Sequence, residues 1–149
     1  MKIAIAGDHA GFELKETLKG LIKGLGHEVA DMGTDSASKP VDYPDFAAKA
    51  ALELKAGRAE RALVICGSGV GACVAANKFA GVRAGICHDT YSARQGVEHD
   101  DMNILCLGSR VIGVELAADV TRAYLAAKFT GEERHKRRLE KIAAFEKKS

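Results

Sequence analysis

Apolar and polar positions in this chain follow two alternating periods. Short apolar stretches fall at Lys2–Ala6, Glu28–Asp31, Ala62–Cys66, Val82–Cys87 and Asn103–Leu107. Each stops at a glycine or a polar cluster, which predicts five strands. Between them the spacing changes to that of a helix. Leu14, Leu18, Leu21, Ile22 and Leu25 share one face and predict a helix over 12–25, closed by Gly26. Phe46, Ala50 and Leu54 mark a helix from Asp45 to Ala56, and a small-residue helix runs to about Asn77. Thr90 is a plausible N-cap for a short helix through Val97, with His99, Asp100 and Asp101 as a connector. Val114–Lys128 and Glu132–Lys147 complete the helices, divided by Gly131; residues 32–44, which hold both prolines, read as a loop.

Strand and helix thus alternate with short links. The pattern predicts a Rossmann-like three-layer α/β/α domain with a five-stranded parallel sheet, helices on both faces and an extra C-terminal helix. Sheets of this kind bind ligands beyond the carboxyl ends of their strands. The polar residues expected there are Asp8, His9, Asp31, Cys66, Gly67, Ser68, His88, Asp89, Ser109 and Arg110.

Composition narrows the class. A chain of 149 residues is expected to form one domain, here 1–149. A net charge of +2 gives no reason to expect nucleic acid. No apolar run approaches the roughly 20 residues of a membrane span, and Met1-Lys2 leads straight into a strand, so neither a membrane nor a signal peptide is expected. The expectation is a cytoplasmic protein. Four cysteines (66, 73, 87 and 106) form no C-x-x-C pair and have no zinc-like histidine spacing. Cys73 and Cys106, among Ala, Val and Leu, read as reduced core residues; Cys87 is open.

Cys66 has the distinctive setting. It ends a strand and is followed by Gly67-Ser68-Gly69-Val70-Gly71 and a helix start. Glycines let backbone N–H groups approach a ligand, and a helix N-terminus favours an anion. A thiol in that space could serve as nucleophile or base. The inert, buried cysteine is the competing reading. The glycines also fit a loose dinucleotide fingerprint with Asp89 downstream, but they do not lie on the first strand–helix turn. A cysteine phosphatase needs an arginine where Ala72 stands.

Asp8 is either a helix cap or a site acid; His9 and His99 are surface imidazoles or groups that titrate near neutral pH. In the last helix Arg134, Arg138, Ile142 and Phe145 fall on one stripe. Ile142 and Phe145 are expected to face protein, which turns Arg134 and Arg138 inward toward a phosphate or carboxylate ligand, or toward Glu132, Glu133 or an acid elsewhere. A base, an anion hole, a histidine and an anion clamp, with no metal or redox motif, suit proton transfer beside the carbonyl of a phosphorylated sugar.

The motifs Gly-Asp-His-Ala-Gly-Phe (7–12), Asp-Tyr-Pro (42–44), Ile-Cys-Gly-Ser-Gly-Val-Gly (65–71), Ala-Ala-Asn-Lys (75–78), Asn-Ile-Leu (103–105) and Gly-Ser-Arg-Val (108–111) occur in one order along the chain. In these it resembles the ribose-5-phosphate isomerase B family, which includes the galactose-6-phosphate isomerase subunits. The resemblance implies a metal- and cofactor-free aldose–ketose isomerase working through a cis-enediol. Ribose 5-phosphate is the expected substrate, with a hexose 6-phosphate (allose or galactose) or a tetrulose phosphate as alternatives. A non-catalytic nucleotide- or ligand-binding α/β module is the reading from another class. By resemblance, Cys66 is the proton-transferring base, Ser68 and the amides of Gly67, Gly69, Val70 and Gly71 stabilise the enediolate, and His99 with Asp8 opens the ring. His9, Arg110, Arg134 and Arg138 would bind phosphate, and Tyr43 would line the pocket. It also implies a homodimer, or a tetramer, with shared sites to which the partner brings His99, Asp100 and Arg110. Three positions depart from the family pattern. Asp100 replaces a neutral asparagine donor, Glu132-Glu133 stand where glycines are common, and Ser68 stands for threonine.

Overall fold

The computed structural model describes residues 1–148. In chain order it contains β1 (Lys2–Gly7), α1 (Phe12–Gly24), β2 (Glu28–Asp31), α2 (Tyr43–Lys55), β3 (Arg61–Cys66), α3 (Val70–Ala76), β4 (Ala84–Ile86), α4 (Thr90–Asp100), β5 (Ile104–Gly108), α5 (Val114–Ala126) and α6 (Glu133–Glu146). The strands pair in parallel in the order β2-β1-β3-β5-β4. With helices on both faces, this is the Rossmann-like three-layer α/β/α arrangement that the alternation predicts.

Successive strand side chains point to opposite faces, and the two faces differ in bulk. Ile3, Ile5, Leu63, Ile65, Leu105 and Leu107 meet Leu14, Leu18 and Ile22 of α1, Val97 of α4 and Val120 and Tyr124 of α5. Ala4, Ala6, Ala62, Val64, Cys66 and Cys106 meet Phe46, Ala47, Ala50 and Ala51 of α2 and Ala72 and Ala76 of α3. Each fully buried Ile or Leu contributes about 1.5–3 kcal/mol by removal from water. The bulky face is therefore the main source of stability. The alanine-rich face lets α2 and α3 lie close under the strand ends that form the site.

Parallel pairing brings the carboxyl ends of β1, β3 and β5 to one edge. There the turns are stitched together: Asp8 N donates to Ile65 O at 3.3 Å, Ser109 N to Cys66 O at 2.9 Å and Arg110 N to Gly67 O at 3.0 Å. Ser109 Oγ donates across to Ala10 O at 2.7 Å. Motifs separated by about 60 and 40 residues in sequence thus become one surface.

Several boundaries differ from the sequence expectation. α2 begins at Tyr43, with Pro44 inside its first turn, because proline is tolerated where no N–H is needed. Asp89, not Thr90, caps α4 by accepting from Ser92 N at 2.7 Å. That helix runs on to Asp100, so His99 and Asp100 are helical, not part of a connector; Asp101 stops it in the left-handed region at φ 47°. β4, at the sheet edge, shrinks to three residues. The largest correction is at α6, where Ile142 and Phe145 are 42% and 68% exposed and only His135 is buried. The stripe is real as helical spacing, but this chain offers it no surface to cover.

Candidate active site

Cys66 ends β3, where the backbone must turn at once into α3. Gly69 makes the turn in the left-handed region, φ 81°, which a residue without Cβ adopts freely. Its N–H points back at the thiol, 3.1 Å from Cys66 Sγ, and Val70 N donates to Ser68 Oγ at 3.2 Å. Cys66 is 4% exposed, yet it is not sealed. It lines a cavity of about 350 Å³ together with Asp8, Tyr43, Gly67, Ser68, Gly71, Arg110 and Val111.

Each wall comes from a different element. Asp8, at the end of β1, is 7% exposed and its Oδ1 accepts from Gly11 N at 3.0 Å. Tyr43, the first residue of α2, lies against Gly71: a Cβ there would lie 2.6 Å from Tyr43 Cε2. Arg110, after β5, lies over Gly67, with Nη1 3.3 Å from where a Cβ would stand. Buried acid, buried thiol, hydroxyl and guanidinium therefore face one small space. That set can remove a proton, stabilise the charge left behind and hold an anion.

Seven of the residues singled out in the sequence meet here: Asp8, Tyr43, Cys66, Gly67, Ser68, Gly71 and Arg110. Arg110 already lies beside Cys66 within one chain, where the resemblance implies its arrival from a partner. Its backbone pairing to Gly67 fixes it there. His9 follows Asp8 but is not among the lining residues; its Nδ1 accepts from Val41 N at 3.2 Å, which leaves the ring proton on Nε2. Gly69 and Val70 form the turn beneath. His99, Asp100, Arg134 and Arg138 are not among the lining residues. They lie on α4 and α6, which pack on each other at the far side of the sheet.

Of the two roles the sequence allows Arg134, the structure shows pairing with a local acid: its Nε donates to Glu132 Oε2 at 3.1 Å. Glu133 pairs with Lys136 at 3.4 Å. Other strand-end residues serve the fold: His88 Nε2 accepts from Gly108 N at 2.9 Å, and Asp31 holds Lys15 and Lys19 at 2.6 and 2.7 Å. Val111, 56% exposed, also lines the cavity; the sequence names it only within the 108–111 motif, and its place directly after Arg110 is the signal for a lining role. Cys73 also departs from the plain core reading. It is half-buried, and a hydrogen bond from the Cys106 thiol, outweighing burial, holds its thiol at about 7.

Comparison with known proteins follows this geometry closely. The model of the Ribose/Galactose Isomerase family matches residues 3–142. Ribose-5-phosphate isomerase B of Escherichia coli (strain K12) is 44% identical over 147 residues, covering 99% of this chain and 97% of the relative. D-erythrulose-4-phosphate isomerase of Pectobacterium atrosepticum is 40% identical over 131 residues, covering 88% and 86%. The solved structure of Clostridium thermocellum ribose-5-phosphate isomerase B superposes with a TM-score of 0.96 at 47% identity, covering 99% of both chains.

Proposed function

This chain belongs to the ribose/galactose isomerase family of sugar-phosphate aldose–ketose isomerases, and on that premise we propose that it interconverts ribose 5-phosphate and ribulose 5-phosphate in the cytoplasm, as a single-domain homodimer. The reading is carried by Cys66 Sγ, set in the wall of an accessible cavity with the Gly69 amide 3.1 Å away and Asp8, Ser68 and Arg110 around it.

In this mechanism the sugar opens first: the C1–O4 bond breaks as Asp8 takes the O1 hydroxyl proton and His99 delivers a proton to the ring oxygen O4. Cys66 then takes the proton from C2 and returns it to C1, the O2 hydroxyl proton passes to O1 across the cis-enediol, and Ser68 and the amides from Gly67 to Gly71 hold the enediolate oxygen. The phosphate lies toward His9, as a hydrogen-bond donor through Nε2–H, and toward the cations Arg110, Arg134 and Arg138, and Tyr43 closes the side wall. One base can serve both carbon-bound transfers, because C1 and C2 are neighbours and the proton moves on one face.

His99, Asp100, Arg134 and Arg138 reach a cavity only when the α4–α6 edge of a second copy closes over it. Exposed apolar side chains support such an interface: Val70, Val111 and Val114 near the cavity and Tyr91 and Phe145 on the α4–α6 edge. A second substrate reading has its own support in the relative named for D-erythrulose 4-phosphate. Asp100 would meet the sugar hydroxyls as an acceptor, and a shorter sugar would leave it more room.

Solvent deuterium exchange tests the chemistry. With wild-type chain in D2O, label is expected at the carbon beside the carbonyl of ribose 5-phosphate. Cys66→Ala is expected to lower both exchange and turnover by about 10²–10⁴-fold while sugar phosphate still binds. Undiminished turnover in that variant removes Cys66 from the mechanism, and exchange with none of the candidate sugars removes the isomerase reading.

A further inference from the structure

His135 is the one buried side chain of α6, 1% exposed, and the fold gives its ring no polar contact. Neither Nδ1 nor Nε2 has a hydrogen-bond partner among the described residues. Leaving two ring nitrogens dry opposes folding, so a plain packing residue would serve this position better. What the ring does touch is specific. It stacks on His99 of α4, with centroids 4.1 Å apart and planes 26° from parallel.

The surrounding charges favour the uncharged form of the buried ring. Burial pushes the His135 imidazole down, as do His99, Arg134 and Arg138, and Glu132 alone opposes them. The Glu132 carboxylate is 3.9 Å from Nε2, beyond hydrogen-bond reach, and is engaged by Arg134. On the other side of the stack, the Gln95 amide nitrogen lies 3.1 Å from His99 Nδ1. Donation from that amide makes Nδ1 the acceptor and places the proton of a neutral ring on Nε2.

We propose that His135 is a positioning residue for His99: its ring fixes the plane of the His99 imidazole while Gln95 fixes the tautomer, so that Nε2–H is presented to the sugar ring of the neighbouring subunit's site. An uncharged aromatic face suits the task. It restricts His99 to one orientation and places no charge against it while Nε2–H is held toward the sugar ring. The missing hydrogen bonds of His135 then follow from its role, because partners on its nitrogens would tie the ring to α6 chemistry and tilt it off the stack. The inference rests on the isomerase reading and on His99 as the ring-opening group.

The test compares His135→Ala and His135→Phe, in the full chain, on two substrates. Ribose 5-phosphate closes a ring; erythrose 4-phosphate cannot, since its O4 carries the phosphate. His135→Ala is expected to lower kcat on ribose 5-phosphate by about tenfold or more with KM little changed, and to leave the tetrose rate intact. His135→Phe, which restores a stacking ring of similar size, is expected to recover kcat to within about threefold of wild type. Equal losses on both sugars, a rise in KM with kcat preserved, a phenylalanine variant as slow as the alanine one, or an alanine variant as fast as wild type would each overturn the proposal. Where wild type turns the tetrose over too slowly to measure, the KM–kcat split and the phenylalanine rescue decide. A wild type that exchanges no deuterium into either sugar fails the isomerase reading itself, which is a different result from an active wild type with an unaffected variant.

Discussion

Cys73 packs with the alanine-rich face of the sheet and Cys87 with the bulky one, and their surroundings drive their acidities apart. The Cys106 thiol donates to the Cys73 sulfur, which burial opposes and Asn77 aids, and the Cys73 thiol is held at about 7. Burial pushes Cys87 up to about 11, with Asp89 and Cys73 adding to it. Cys106, the donor, is raised well above an ordinary thiol by that same hydrogen bond and by burial. At pH 7.5 iodoacetamide is therefore expected to alkylate Cys73 at least about tenfold faster than Cys87 or Cys106, since the thiolate is the nucleophile. Peptide mass spectrometry reads the order directly. The Cys73 rate should rise through pH 7 and level off above it; a rate that keeps climbing beyond pH 9 would contradict the hydrogen-bonded thiolate.

At the scale of elements, α3 and its entry turn decide whether Cys66 faces a cavity or a core. Two glycines there have different reasons to be glycine. Gly69 needs its left-handed φ of 81°, and a Cβ would also stand 3.0 Å from the Leu107 carbonyl carbon. Gly69→Ala is expected to cost about 1–2 kcal/mol of stability, read as a lower melting temperature. Gly71 lies in ordinary helix, where alanine is intrinsically favoured, but its Cβ would overlap the Tyr43 ring. That ring is 40% exposed and free to swing outward. Gly71→Ala is thus expected to keep the melting temperature and raise KM severalfold, by moving one wall of the cavity. If both variants lose stability alike, Tyr43 is anchored more firmly than its exposure implies.

For the whole molecule the main consequence concerns assembly. One chain carries Cys66, Asp8, Ser68 and Arg110 around a cavity; His99, Arg134 and Arg138 stand on α4 and α6, away from it. The proposed shared site makes complementation a sharp test. Cys66→Ala and His99→Asn chains, each inactive on ribose 5-phosphate alone, are expected to regain roughly a quarter of wild-type activity when unfolded and refolded as an equal mixture. Half the dimers are then mixed, and each has one intact site of two. A mixture no more active than its components would mean that each chain builds its site alone.

Local physics made much of this legible in the residues. Five strands, the alternation with helices and the turn at Cys66–Gly71 follow from apolar periodicity and from where a backbone needs glycine. Those requirements act within a few neighbours. The joining of residues 7–12, 65–71 and 108–111 at one edge followed from parallel topology alone. Other features depended on contacts between distant elements. Lys15 is 1% exposed because Asp31 of β2 meets its ammonium at 2.6 Å, and nothing in the helical spacing of α1 announces it. Arg134 turned to Glu132, Ile142 and Phe145 stayed in solvent, and His135 found His99 across 36 positions of sequence. The sequence determined which stretches fold and where the chemistry collects. Tertiary structure alone decided which polar groups are paired, dry or free, because the desolvation of a charge or an imidazole depends on what another element places beside it.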